Sequence, residues 1–117
     1  MQICHHEDEH LSTAEQAKGS MLTEEDIARV SAQFKAMSEP SRLKVLLALR
    51  HGELCVYHIV GAVGGTQSAV SHQLRILRDN QIIRARRDGQ NILYSLADQH
   101  VAQLLDMACE HLACREG

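Results

Sequence analysis

Two adjacent glycines, Gly64 and Gly65, stand between two short stretches of apolar residues at helical spacing. Glycine reaches positive φ at little steric cost, so a Gly-Gly step between helices favours a tight turn. Residues 55–63 read as one short helix before it. After it, Thr66 reads as a capping residue for a helix extending to about Asn80, with Val70, Leu74 and Leu77 on its inner face. Two short helices joined by so brief a turn form a helix-turn-helix.

The flanking segments complete the pattern. Residues 82–87 and 92–96 surround Asp88-Gly89-Gln90-Asn91, which predicts a hairpin with Asp-Gly as its turn signal. Upstream, Thr23 and Asp26 have the spacing of a capping box, and Ile27, Val30, Phe34 and Met37 follow at helical spacing. Ser38-Glu39-Pro40 ends that helix and opens another, whose apolar face is Leu43, Leu46, Leu47 and Leu49. A last helix starts near Asp98 and carries Val101, Leu104, Leu105, Ala108 and Leu112. The expected fold is mainly α with a β-hairpin wing, a winged helix-turn-helix.

Composition agrees with packed helices. Apolar residues make up 44% of the 117-residue chain, but aromatics only 3%, with no Trp. Residues 1–20 are polar and read as a flexible arm, leaving 21–117 as one domain. No apolar run approaches the ~20 residues of a membrane span. The polar, acidic start is unlike a secretory signal, so the expected location is cytoplasmic. In that reducing setting, four cysteines point to metal or thiol chemistry rather than disulfides.

The formal net charge of −3 conceals an asymmetry. Seven acids lie within residues 1–26 against the single base Lys18, whereas five arginines (Arg75, Arg78, Arg84, Arg86, Arg87) fall within thirteen positions. Local charge attracts phosphate whatever the overall balance. The helix after the glycines offers Gln67, Ser68, Ser71, His72, Gln73 and Arg75, side chains suited to reading base edges or gripping phosphate. Arg84, Arg86 and Arg87 on the wing suit the backbone or a minor groove. Scarce aromatics argue against base stacking and favour double-stranded DNA as partner.

Four metal-ligand types, Asp98, His100, His111 and Cys114, are spread over the last helix. His100 and His111 are eleven residues apart, which is roughly 16 Å along a helix. One ion cannot take both pairs from a single straight helix, since such ligands lie about 2.0–2.3 Å from the metal. Either the pairs are unrelated or a second copy of the helix runs antiparallel beside the first.

Glu53-Leu54-Cys55-Val56, the run from Gln67 to Leu74, and Tyr94-Ser95-Leu96 resemble the ArsR/SmtB family of metal-responsive winged helix-turn-helix repressors. The resemblance covers residues 34–114. It implies a homodimer that binds an inverted-repeat operator and is released on binding an inducer metal. It also implies that Asp98, His100, His111 and Cys114 are the ligands of sites built by both chains. Cys114 stands where zinc-sensing members more often carry His or Glu. Zn(II) is the first expectation, with Cd(II), Co(II) and Pb(II) as further candidates, the thiolate favouring softer ions.

A second metal site is suggested by Cys55 and His58 together with Cys4, His5, His6 and His10 of the arm. Family members that bind softer metals commonly have Cys-Val-Cys here; this chain has Cys55-Val56-Tyr57, and His58 lies one helical turn from Cys55. The alternative function is a thiol-based repressor of the same fold that senses reactive sulfur or redox change, with Cys114 pairing with Cys55 or Cys109. No phosphate loop, nucleophile elbow or His-Glu-x-x-His motif supports an enzyme or a small-molecule substrate.

Overall fold

The computed structural model describes the backbone of residues 7–116 and the side chains of residues 12–114. Its elements are α1 (Glu7–Gly19), α2 (Glu24–Ser38), α3 (Pro40–Leu49), α4 (Val56–Val63), α5 (Gln67–Asp79), β1 (Ile83–Asp88), β2 (Asn91–Leu96) and α6 (Gln99–Glu116). Helices α2, α3, α5 and α6 each begin where a side-chain oxygen takes an orphan backbone N–H, whereas α4 starts at Cys55 with no side-chain cap. Thr23 Oγ1 accepts the Asp26 N–H at 3.1 Å, and Thr66 Oγ1 accepts the Ala69 N–H at 3.0 Å. At α3 the cap is Glu39, whose carboxylate accepts the Arg42 N–H at 3.1 Å, followed by Pro40 in the first turn.

The chain divides into two compact units, residues 1–30 and 31–117. Within the first, residues 7–19 form a helix, an element that the polar sequence of the arm did not announce. Ala, Glu, Gln and Lys are good helix formers, yet with so few apolar residues they leave no periodic signal.

The second unit holds the core. Val45, Leu46 and Leu49 of α3 pack with Ile59 of α4 and with Val70, Leu74 and Leu77 of α5. Ile82 and Ile83 close the core from the hairpin side and Leu105 from α6. Full burial of one such side chain contributes about 1.5–3 kcal/mol. These residues are aliphatic, as the composition required.

The passage from α5 into the wing follows a Schellman motif. The Gln81 N–H bonds the Arg78 carbonyl at 2.9 Å and the Ile82 N–H bonds the Leu77 carbonyl at 3.0 Å. Gln81 takes φ 62°, the left-handed conformation usually given to glycine, while Leu77 and Ile82 are both buried. The hairpin pairs antiparallel with Asp88 opposite Asn91, so its two central residues are Gly89 and Gln90. Gly89, at φ 62°, is therefore the first turn residue rather than the second, as an Asp-Gly turn would have placed it. Leu54 adds a single bridge to Tyr94, with N–H···O bonds of 3.0 and 2.9 Å. That bridge ties the segment before α4 to the wing.

Candidate functional site

On α5, burial of Val70, Leu74 and Leu77 turns the opposite side outward. Gln67, Ser68, Ser71, His72 and Arg75 are all exposed and follow one another around a single face. Gln73 differs. It is half-buried, and its Oε1 accepts from Arg42 Nη1 at 3.2 Å, while Arg42 Nε donates to the Ala36 carbonyl at 2.6 Å. Its acceptor end is therefore held by the scaffold and only its amide donors remain for a ligand.

The three wing arginines are exposed, but they are not equivalent. Arg86 makes a two-pronged pair with Glu53, Nε to Oε2 at 2.6 Å and Nη2 to Oε1 at 2.8 Å. The same guanidinium holds the Glu53 carboxyl below its ordinary range. This pair works beside the Leu54–Tyr94 bridge to hold the wing. Arg84 and Arg87 have no such carboxylate partner among the described residues.

At the start of α6, Asp98 is the capping residue: its Oδ1 accepts the N–H of His100 at 2.9 Å and of Val101 at 3.2 Å. The His100 Nδ1 lies 3.5 Å from the same oxygen. Two residues apart, the side chains meet because Asp98 precedes the regular helix. The Val101 N–H, then the His100 ring and N–H, lower the Asp98 pKa, so the group is a carboxylate at neutral pH. His111 and Cys114 are one turn apart near the other end and both are exposed. Among the described residues no three His, Cys, Asp or Glu side chains gather into a metal-binding cluster. The chain thus assembles one pair at the start of α6 and carries the other two residues near its end.

His100, Leu104, Met107, His111 and Cys114 succeed one another in alternating steps of four and three, which places them along one stripe of α6. Leu104 is 44% and Met107 65% exposed, whereas Leu105 turns into the core at 3%. The ligand types and the uncovered apolar residues therefore occupy one face. Cys109 lies off that stripe, and its Sγ is 2.9 Å from Arg50 Nη1, with Arg50 also 3.4 Å from Asp106. Cys109 and Cys114 are about 7.5 Å apart along the axis alone, too far to bridge while α6 is intact.

Cys55 occupies the position just before α4 without a capping side-chain hydrogen bond, and its Sγ lies 3.4 Å from His58 Nδ1. Cys4, His5 and His6 lie outside the described residues, as does the His10 side chain. The roles of Arg42 and Glu53 had no signal in the sequence reading. Their partners are 31 and 33 residues away, so nothing local announces either contact.

Comparison with known proteins agrees with this architecture. Residues 39–85 match the bacterial regulatory protein, arsR family. The transcriptional repressor SmtB homolog of Synechocystis sp. is 38% identical over 112 residues, 96% of this chain and 85% of that one. The HTH-type transcriptional regulator NmtR of Mycobacterium tuberculosis is 48% identical over 90 residues, 77% of this chain and 75% of its own. The crystal structure of the AntR antimony-specific transcriptional repressor superposes with a TM-score of 0.72 at 37% identity, covering 83% of this chain and 88% of that one. The homodimeric winged helix-turn-helix DNA-binding domain Mb0332 from Mycobacterium bovis gives a TM-score of 0.69 at 30% identity, covering 80% and 93%. Among the described residues no helix is long and apolar enough to cross a membrane. With its helix-turn-helix, its wing and these relatives, the chain belongs to the ArsR/SmtB family of metal-responsive winged helix-turn-helix repressors, DNA-binding regulators of transcription and not enzymes.

Proposed function

We propose that the protein is a homodimeric metal-sensing repressor that holds operator DNA in its metal-free state and lets it go when its two α6 helices share divalent ions, Zn(II) foremost. The observation that carries this reading is the single stripe of α6, where Asp98–His100 and His111–Cys114 flank exposed Leu104 and Met107. A second copy running antiparallel covers those apolar residues and brings each pair opposite its complement. Asp98 and His100 of one protomer then meet His111 and Cys114 of the partner subunit. The likeness to AntR, an antimony-specific repressor, and to Mb0332, a homodimeric domain, supports the reading.

The residues fit such an ion chemically. The Oδ1 of Asp98 serves the helix cap, which leaves Oδ2 for a metal, and the group is already ionised. One oxygen, two imidazole nitrogens and one sulfur make a four-coordinate donor set suited to Zn(II), with Cys114 widening it toward Cd(II). A bound ion supplies a cross-link between the two helices. The protein's own contribution is the rigid path from α6 to α5 through Leu105 and the shared core. On DNA, Gln67, Ser68, Ser71, His72 and Arg75 face base edges and Arg84 and Arg87 face phosphates, while Arg86 anchors the wing. Operator half-sites repeat about every 34 Å, so a small rotation between protomers misplaces one recognition helix.

Titrating Zn(II), Cd(II), Co(II) and Pb(II) against operator-bound protein, with thiolate absorption followed throughout, tests the reading. Release by at least one ion, lost in His100→Ala and in His111→Ala, is the expected result. Undiminished release from both variants would place regulation elsewhere. The 3.4 Å approach of Cys55 and His58 favours a second site there, for which Cys4, His5, His6 and His10 are the remaining candidates. A Cys55→Ser variant with unchanged metal stoichiometry would dismiss that site.

A further inference from the structure

A cavity of about 200 Å³ lies between α3, the turn before α5 and the first turns of α5. Lys44, Val63, Gly64, Gly65, Ala69 and Gln73 are among its lining residues. Ala69 and Gln73 sit on the flank of α5 toward α3, directly beside the exposed row of Gln67, Ser68, Ser71 and His72. We propose that this cavity is a phosphate seat, receiving one backbone phosphate of the DNA strand that runs alongside the recognition helix. The proposal rests on the DNA-binding reading of α5 and adds a contact made largely from a different helix.

The lining selects an anion. It contains no acid, and the exposed Lys44 supplies a full positive charge. Gln73 is oriented for the task, because Arg42 takes its Oε1 at 3.2 Å and leaves its amide donors for a ligand. The Gly64 N–H is spent on the Val60 carbonyl at 2.7 Å, whereas among the described residues no backbone acceptor takes the Gly65 N–H. A Cβ added at either glycine would meet nothing within 4 Å, so a ligand can approach the turn closely. Glu39, two residues before Ser41 of the lining, caps α3 and has Arg42 at 3.9 Å, so its charge is already answered. Free phosphate would satisfy the same donors. The backbone is the favoured source because elements packed against a recognition helix cross the phosphate strand while that helix enters the groove.

The test is the salt dependence of binding by Lys44→Gln to two duplexes, one of mixed sequence and one selected by the wild-type protein from a random library. Lys35→Gln on α2 removes the same charge from an exposed position outside the cavity and is the control. Losing one phosphate contact lowers the slope of log affinity against log salt by about 0.9. Between 50 and 200 mM salt the wild type should thus lose about threefold more affinity than Lys44→Gln, equally on both duplexes. Gln73→Glu, which keeps an acceptor for Arg42 but places a carboxylate in the seat, should weaken binding to both duplexes. An unchanged slope in Lys44→Gln, or an equal change in Lys35→Gln, would overturn the proposal while leaving the recognition helix in place. Millimolar inorganic phosphate that binds DNA-free wild type but not Lys44→Gln, with the same salt slope of duplex binding in both proteins, would show a seat for the free ion alone and overturn the backbone assignment. Wild-type protein that binds neither duplex would overturn the DNA reading and this one with it.

Discussion

Asp98 serves as a helix cap and as a metal-ligand candidate, and substitution can separate the two roles. Asparagine caps about as well as aspartate, so Asp98→Asn should unfold within about 0.5 kcal/mol of wild type while losing metal affinity. Asp98→Ala should lose both, with about 1 kcal/mol of stability gone in a urea titration. A metal affinity unchanged in Asp98→Asn would remove this carboxylate from the site. Because hydrogen bonds from the Val101 N–H, the His100 ring and the His100 N–H lower its pKa, its stabilising effect is full above the unfolded value of about 3.9. It fades only as pH falls through the lower folded value. Arg86 permits a parallel test. Its pairing with Glu53 takes it out of phosphate contact, so Arg86→Gln should change the salt slope of DNA binding less than Arg84→Gln or Arg87→Gln. In the same variant the Glu53 carboxyl should titrate higher, back toward the ordinary carboxylate range, as followed by NMR.

Among the elements, the link from α5 to β1 rests on one costly backbone conformation. Left-handed φ costs an L-residue roughly 1–2 kcal/mol, and glycine returns part of that gain as extra entropy in the unfolded chain. Gln81→Gly should accordingly stabilise the fold by about 0.5 kcal/mol, and Gln81→Val should destabilise it, both read from urea midpoints. This conformation was illegible in the sequence, since a glutamine gives no warning of positive φ. Where a feature depends on neighbours a few residues apart, the sequence reading succeeded: Thr23 and Thr66 cap their helices, and Val70, Leu74 and Leu77 face the core. The wing was expected in the right place, but its turn is centred on Gly89-Gln90 because strand register, set by pairing across the hairpin, decides which residues turn. Long-range contacts account for most of what was missed. Arg42 holds Gln73 and Glu53 holds Arg86, each across more than thirty residues, and those contacts change which polar side chains remain for DNA. At the metal-ligand pairs, Asp98 and His100 meet because α6 begins just after Asp98, close to where the sequence predicted its start.

For the whole molecule, the arrangement of α6 makes a statement about chain count that a mixing experiment can decide. In the antiparallel reading each site takes Asp98 and His100 from one protomer and His111 and Cys114 from the partner subunit. A His100→Ala homodimer and a His111→Ala homodimer each have both sites damaged. Combining one protomer of each kind changes the distribution. One site then carries both substitutions, but the other takes an intact Asp98–His100 pair from the His111→Ala protomer. Its His111 and Cys114 come, also intact, from the His100→Ala protomer. The mixed dimer, isolated through two different affinity tags, should therefore bind one ion per dimer with wild-type affinity, where neither parent binds any so tightly. Sites confined to a single chain predict no recovery, because every chain in the mixture carries a lesion. Sites built from two copies of the same end of α6 predict none either, since each mixed site would hold one damaged member. The roughly 16 Å between His100 and His111 along one helix already argues against the single-chain case. Recovery of one site, measured as metal stoichiometry on the purified mixed dimer, distinguishes the antiparallel reading from both alternatives.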